Sequence, residues 1–231
     1  MSVERDAKAE TVRRALDRRQ EETGRGFVAV LGSAPREGGR GLKHGVGRSA
    51  IADRVAGRIG AERLSTGKIF RDLARERGMP IETFHRLIPE HPEWDADLDR
   101  RVIRRIEEAK ETGEVLILDS NLAAVLGKPD LALQIDVPDA VRAARVMEGR
   151  RYGDRSFDTP GEALAFLDRR SEEEAERYAN HPDPLYQGVD LADPAFYQGT
   201  VVNDGALDEA ADRVLRWLLQ VLEEGGGIQG K

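Results

Sequence analysis

No cysteine occurs in the 231 residues of this chain, which excludes disulfides, thiolate zinc centres and cysteine nucleophiles. Histidine is nearly as scarce, and His44, His85, His91 and His181 show no ligand spacing. No apolar run approaches the roughly 20 residues of a membrane helix, and the charged N-terminus lacks the apolar core of a secretory leader. A cytoplasmic protein with no membrane partner is expected. Positive charge is not in excess either: 36 Lys and Arg face 43 Asp and Glu, giving a net charge of −7, which argues against nucleic acid as a partner. Apolar residues are 39% of the chain, and 24 glycines bring the composition to ordinary globular levels, so a domain with its own core is expected.

The pattern alternates strands and helices. Residues 4–22 carry Val12, Ala15 and Leu16 in a charged stretch that stops at Gly24, which predicts an N-terminal helical extension over 1–26. Phe27-Val28-Ala29-Val30-Leu31 is short, apolar and β-rich, as a buried parallel strand should be. Further strands are predicted at 115–119, 131–137 and 200–203. Helices are predicted near 49–59, 65–78, 81–88, 94–110, 138–149, 161–179 and 207–223. Such an order implies an α/β fold, a parallel sheet flanked by helices, spanning 27–224, with the helices after residue 65 forming an inserted lobe and 225–231 a flexible tail.

A strand, a glycine-rich loop and a helix in succession are where backbone amides and a helix dipole can surround a phosphate. The candidate loop is Gly45-Val46-Gly47-Arg48-Ser49-Ala50. It matches the end of the G-x-x-x-x-G-K-[ST] pattern with Arg48 for lysine, but the first glycine falls on Leu42; the strand's own terminal glycine is Gly32, and Ser33 to His44 reads as an insertion relative to the compact loop. A surface loop with no ligand is the alternative reading. In the binding reading Arg48 supplies a cation, Lys43 can add a second, and Ser49 with Asp119, at the end of a buried strand, is placed for Mg²⁺. Asp119 as a simple helix N-cap is the competing reading.

The run Leu64-Ser65-Thr66-Gly67-Lys68-Ile69-Phe70-Arg71-Asp72-Leu73-Ala74-Arg75-Glu76-Arg77-Gly78-Met79 resembles the S-T-G-x-I-F-R-x-L-A-x-E-R-G-M segment of cytidylate kinases, especially the archaeal-type branch. The likeness continues through His91-Pro92-Glu93-Trp94-Asp95, Leu98-Asp99-Arg100-Arg101, the segment Arg170 to Tyr178, and Tyr197 to Asn203. The resemblance implies a P-loop NTPase-type core with a helical monophosphate-binding lobe at about 66–112 and a short lid at about 149–178. It implies phosphoryl transfer from ATP, with Mg²⁺, to the nucleoside monophosphate CMP or dCMP. Carried over residue by residue, Ser65, Arg71, Asp99, Arg101, Asn121 and Glu174 are expected at the acceptor. Arg48, Arg170, Arg177 and Asp119 are expected at the transferring group, with Gly45 to Ala50 and Lys43 around ATP. Arg170, Glu174 and Arg177 share one helix face, where an ion-pair ladder is the simpler alternative.

Three departures separate the chain from that family: the enlarged loop, Arg48 for lysine, and Asp119-Ser120-Asn121 where the family has E-G-R or D-G-R. They leave two other readings open, a non-catalytic nucleotide-binding regulator and a P-loop kinase for another small acceptor.

Overall fold

The computed structural model describes residues 2–148 and 156–224. The chain runs α1 (Ser2–Thr23), β1 (Phe27–Ser33), α2 (Arg48–Ile59), β2 (Glu62–Leu64), α3 (Thr66–Glu76), α4 (Ile81–Leu87) and α5 (Pro92–Thr112). It continues through β3 (Val115–Asp119), α6 (Asn121–Leu126), β4 (Leu131–Asp136), α7 (Asp139–Glu148), α8 (Pro160–Ala179), β5 (Gly199–Val202) and α9 (Leu207–Glu223). Residues 149–155, the start of the lid expected at about 149–178, and the tail 225–231 lie outside the described residues.

All five strands are parallel, in the order β2-β3-β1-β4-β5. β1 sits at the centre and is buried along its whole length, which is why its sequence shows a continuous apolar run instead of alternation. The one strand the sequence reading missed, β2, has three residues of which two are charged, too short to carry a period.

Alternate residues of the strands feed two cores. On one face Phe27, Ala29, Leu31, Leu131 and Leu133 pack with α1, α2 and α9; on the other Val28, Val30, Leu116 and Leu118 pack with residues of α5 and α6. The helix read as an N-terminal extension belongs to the first core: Ala9, Val12 and Leu16 are buried there. Its Arg13 donates to the carbonyls of Arg58 (2.8 Å) and Ile59 (3.2 Å), satisfying the open end of α2.

The inserted lobe has its own small core, in which Leu73, Ala74, Phe84 and Ile88 gather and Trp94 stacks on Phe84 at 5.0 Å. A further cluster, Ala143, Val146, Ala163, Phe166 and Leu167, joins α7 to α8. α8 is capped by Thr159, which accepts from the Glu162 amide, and Glu162 accepts from the amide of Asp158, the residue before the cap. No helix among the described residues is long and apolar enough to cross a membrane.

Candidate functional site

β1 does not lead straight into α2. After Ser33 the chain makes a hairpin closed by backbone bonds: Lys43 N–H donates to the Ala34 carbonyl (2.8 Å), Arg36 N–H to the Gly41 carbonyl (3.1 Å), and Pro35 bridges Leu42 antiparallel. The ends of the segment Ala34–Lys43 therefore meet. Set aside, it leaves Gly32-Ser33-His44-Gly45-Val46-Gly47-Arg48-Ser49, which has the G-x-x-x-x-G-x-S spacing of a compact phosphate loop. Its first glycine is Gly32, near the end of β1. The motif is interrupted, with one substitution, Arg48 for lysine.

The hairpin docks on α8. Arg36 donates to Glu172 (2.8 Å) and lies 3.1 Å from Asp168, while Gly41, at φ +85°, approaches so closely that a Cβ there would sit 2.3 Å from the Ser171 carbonyl. Burial disfavours the Arg36 cation, but Glu172 and Asp168 more than offset this and its pKa is raised. Lys43 is buried with its ammonium 2.6 Å from Asp136 at the end of β4, so its charge is paired there.

Below the hairpin, the loop is held from the protein side. Asn203, at the end of β5, donates to the Val46 carbonyl (2.8 Å), and the fully buried Arg142 donates to the His44 carbonyl (3.0 Å) and pairs with Asp139 and Asp168. Gly47 has φ +84°, and a Cβ would lie 2.8 Å from the Asn203 amide nitrogen. Gly47 is also the N-cap of α2 and brings no side chain to its first amides, so these are not capped from within.

Parallel pairing of β1 with β3 sets Leu31 beside Asp119. Ser49 Oγ donates to Asp119 Oδ2 and the Arg63 guanidinium to Asp119 Oδ1. The N-cap of α6 is Ser120, which accepts from the Ala123 amide, so Asp119 is not that cap. Asn121 Oδ1 accepts from the Ser33 amide (2.8 Å) and from Arg48 Nη1, joining the two ends of the loop. A hydroxyl and a carboxylate oxygen are hard donors that suit Mg²⁺. Among the described residues no group of three or more His, Asp or Glu is placed to hold a metal, so a cation here needs phosphate and water oxygens as well.

A cleft of about 980 Å³ opens between α3, α5 and α8 and is lined by His44, Gly67, Asp95, Arg170, Glu174 and Arg177, among others. Glu174 Oε2 lies 2.8 Å from His44 Nε2. Burial opposes ionisation of Glu174, yet the close His44 ring and the charges of His44, Arg48 and Arg177 hold its pKa below the ordinary value. Arg177 lies 3.5 Å from Asp95, and Arg170 is over the Phe166 ring. Ser65 is the N-cap of α3 through its backbone, and Arg71, exposed two turns on, makes no hydrogen bond or ion pair with the described residues.

Two expected acceptor residues are placed elsewhere. Asp99 is buried and accepts from the Tyr186 hydroxyl (2.6 Å). Burial pushes its pKa up to about 7; the nearby charges of Asp95 and Glu174 add to this, and Tyr186 and Arg177 oppose it. The neighbouring carboxylate that lines the cleft is Asp95, one turn earlier on α5. Arg101 is bidentate to Glu76 (2.8 Å to each oxygen) and also meets Asp97, which clasps α3 to α5. The family resemblance put both at the acceptor; the segment that carries Tyr186 and the end of α3 cover them.

Arg63 and Arg142 drew no attention in the sequence, and Asp95 entered only as the end of a matched segment, with no role. Arg63 sits in the short β2, and Arg142 reads as one more charge on a surface helix.

The comparisons fit this geometry. Residues 43–162 match a family described as "AAA domain". Cytidylate kinase of Halobacterium salinarum is 33% identical over 159 residues, 68% of this chain and 75% of that protein. Cytidylate kinase of Pyrococcus furiosus is 36% identical over 154 residues, 66% and 72% respectively. A solved structure, an uncharacterized protein from Eubacterium ventriosum, shares the fold with a TM-score of 0.56 at 16% identity, covering 83% of this chain and 98% of its own. With an interrupted phosphate loop, a strand-end carboxylate facing its serine and relatives of this kind, the chain belongs to the cytidylate kinase family of P-loop nucleotide kinases.

Proposed function

We propose that this protein transfers the γ-phosphoryl group of ATP to CMP or dCMP. The observation that carries the reading is the juxtaposition just described: once the hairpin is set aside, Gly32 to Ser49 is a phosphate loop whose Ser49 meets Asp119, and it borders the cleft between α3, α5 and α8. The amides of Gly45 to Ala50 surround the β- and γ-phosphates at the start of α2. Ser49 and Asp119 would hold Mg²⁺, which would neutralise phosphate charge.

Arg71, exposed on α3 next to Phe70 of the cleft lining, takes the acceptor phosphate, with Ser65 and Asn121 as neutral hydrogen-bonding partners. An oxygen of that phosphate attacks the γ-phosphorus, the bond to the β–γ bridging oxygen breaks, and ADP leaves; no covalent bond to the protein forms. Arg48, Arg170 and Arg177 stabilise charge on the transferring group, with Glu174 and Asp95 fixing their surroundings. Pyrimidine choice rests on the resemblance of Ser65 to Met79 and on the family.

A second reading, nucleotide binding without turnover, has one observation in its favour: Arg48 contacts Asn121 and Lys43 is paired with Asp136, so neither is a free cation in this state. A coupled assay of ADP formation with ATP, Mg²⁺ and each nucleoside monophosphate separates the two, since turnover with CMP excludes the second.

A further inference from the structure

The Asp119 carboxylate is already shared. Ser49 Oγ holds one oxygen, and the other accepts from Arg63, whose side chain is mostly buried (15% exposed) against an equally buried Asp119 (12%). A divalent cation placed by Ser49 and Asp119 would have a guanidinium in contact with the same carboxylate. That cation repels it and draws charge from the oxygen it needs.

Arg63 has a second partner. Its Nε is 2.9 Å from Asp53 Oδ1, yet this buried N–H has no aligned acceptor, so the contact is one of charge and not a formed hydrogen bond. Asp53 lies one turn beyond Ser49 on α2 and is 66% exposed, free to move toward the guanidinium. The guanidinium thus stands between two carboxylates, bonded to the one the metal would use and only adjacent to the one it would not.

We propose that Arg63 is a displaceable counter-charge. It neutralises Asp119 while the site holds no cation and passes to Asp53 when a divalent cation enters with a nucleotide. Arg63 and Asp53 then set the cation affinity of the site, Arg63 lowering it and Asp53 restoring part of it. No bond is made or broken beyond hydrogen bonds and ion pairs. The inference rests on the kinase reading, because that reading puts the cation at Ser49 and Asp119.

Calorimetric binding of ADP to the intact protein, in EDTA and again with Mg²⁺, tests it without any turnover. Arg63→Gln is expected to lower the Kd for ADP in Mg²⁺ on the order of fivefold, with no tightening in EDTA. Asp53→Asn is expected to raise the Kd in Mg²⁺ by about twofold to threefold, and to leave the Kd in EDTA unchanged. Arg63→Gln that folds with an unaltered Tm and binds ADP no more tightly in Mg²⁺ overturns the proposal. If Arg63→Gln does not fold, Asp53→Asn decides alone: its exposed site is tolerant, and equal Mg²⁺ and EDTA constants to those of the unmodified protein overturn the proposal. Failure of the unmodified protein to bind ADP in either buffer overturns the kinase reading and this inference together, a result distinct from binding that ignores Arg63 and Asp53.

Discussion

Arg48 stands where the family pattern has lysine, and its fork reaches across to Asn121 Oδ1, which also takes the Ser33 amide. A lysine ammonium at that position lacks the second arm that lets one cation touch Asn121 and a phosphate at once. Arg48→Lys is therefore expected to lower kcat/KM by about tenfold and not to raise it. A gain in steady-state kinetics would mean that the loop has decayed. Arg71→Ala is expected to raise the KM for CMP and also lower kcat, because an acceptor that loses its phosphate anchor loses orientation as well as affinity. Asp99 makes a different kind of prediction. Its folded pKa of about 7 is above the ordinary carboxylate value, so the folded protein holds that proton more tightly than the unfolded chain does. The contribution is fully present below about pH 4 and is lost as pH rises to about 7. Asp99→Asn keeps an acceptor for Tyr186 without the charge, and its stability relative to the unmodified protein should grow across that window by about 1–3 kcal/mol, read by denaturant unfolding at pH 4.5 and 7.5. A difference that stays constant with pH would contradict the assignment.

At the scale of elements the hairpin Ala34–Lys43 is the feature that sets this chain apart. It ties the phosphate loop to α8 through Arg36 with Asp168 and Glu172, and through the close contact of Gly41 with Ser171. Arg36→Ala should free that end of α8, with faster amide hydrogen exchange over 166–176 and little change in β1 or α9. Uniform exchange across the protein would show that α8 is held by α7 alone. The hairpin also explains why the phosphate loop was only half legible in the sequence. Gly45 to Ser49, Gly32 and the insertion between them could be read from residue types, but not that the ends of the insertion meet, because what closes them is a pair of backbone hydrogen bonds with no side-chain signature. The same holds for Asp95 and Asp99. They lie one helical turn apart and are equivalent by spacing; only the packing of Tyr186 over Asp99 tells them apart. Long periodic elements such as α5 and α9 and the apolar runs of β1, β3 and β4 were legible because their burial is set by neighbours in sequence. β2 and Arg63 were not, since three residues carry no period.

In the whole molecule, α1 matters more than its sequence suggested. Val12 is fully buried, Leu16 nearly so, and Arg13 satisfies the end of α2, whose first turn is part of the phosphate loop. Removal of Ser2–Thr23 should therefore destabilise the domain, and Val12→Ala alone should cost about 1–3 kcal/mol in denaturant unfolding. A truncated protein with an unchanged Tm would show that α1 is an appendage after all. The central claim concerns the whole assembly of loop, lobe and α8, and one measurement tests it most directly. The intact protein is incubated with ATP, Mg²⁺ and, separately, each ribonucleoside and deoxyribonucleoside monophosphate, and the diphosphates formed are separated and quantified by chromatography. The account predicts CDP or dCDP as the dominant product, with kcat/KM about tenfold or more above that for UMP, AMP and GMP. Neither CDP nor dCDP alongside efficient phosphorylation of another acceptor, or no consumption of ATP with any of them, would contradict it.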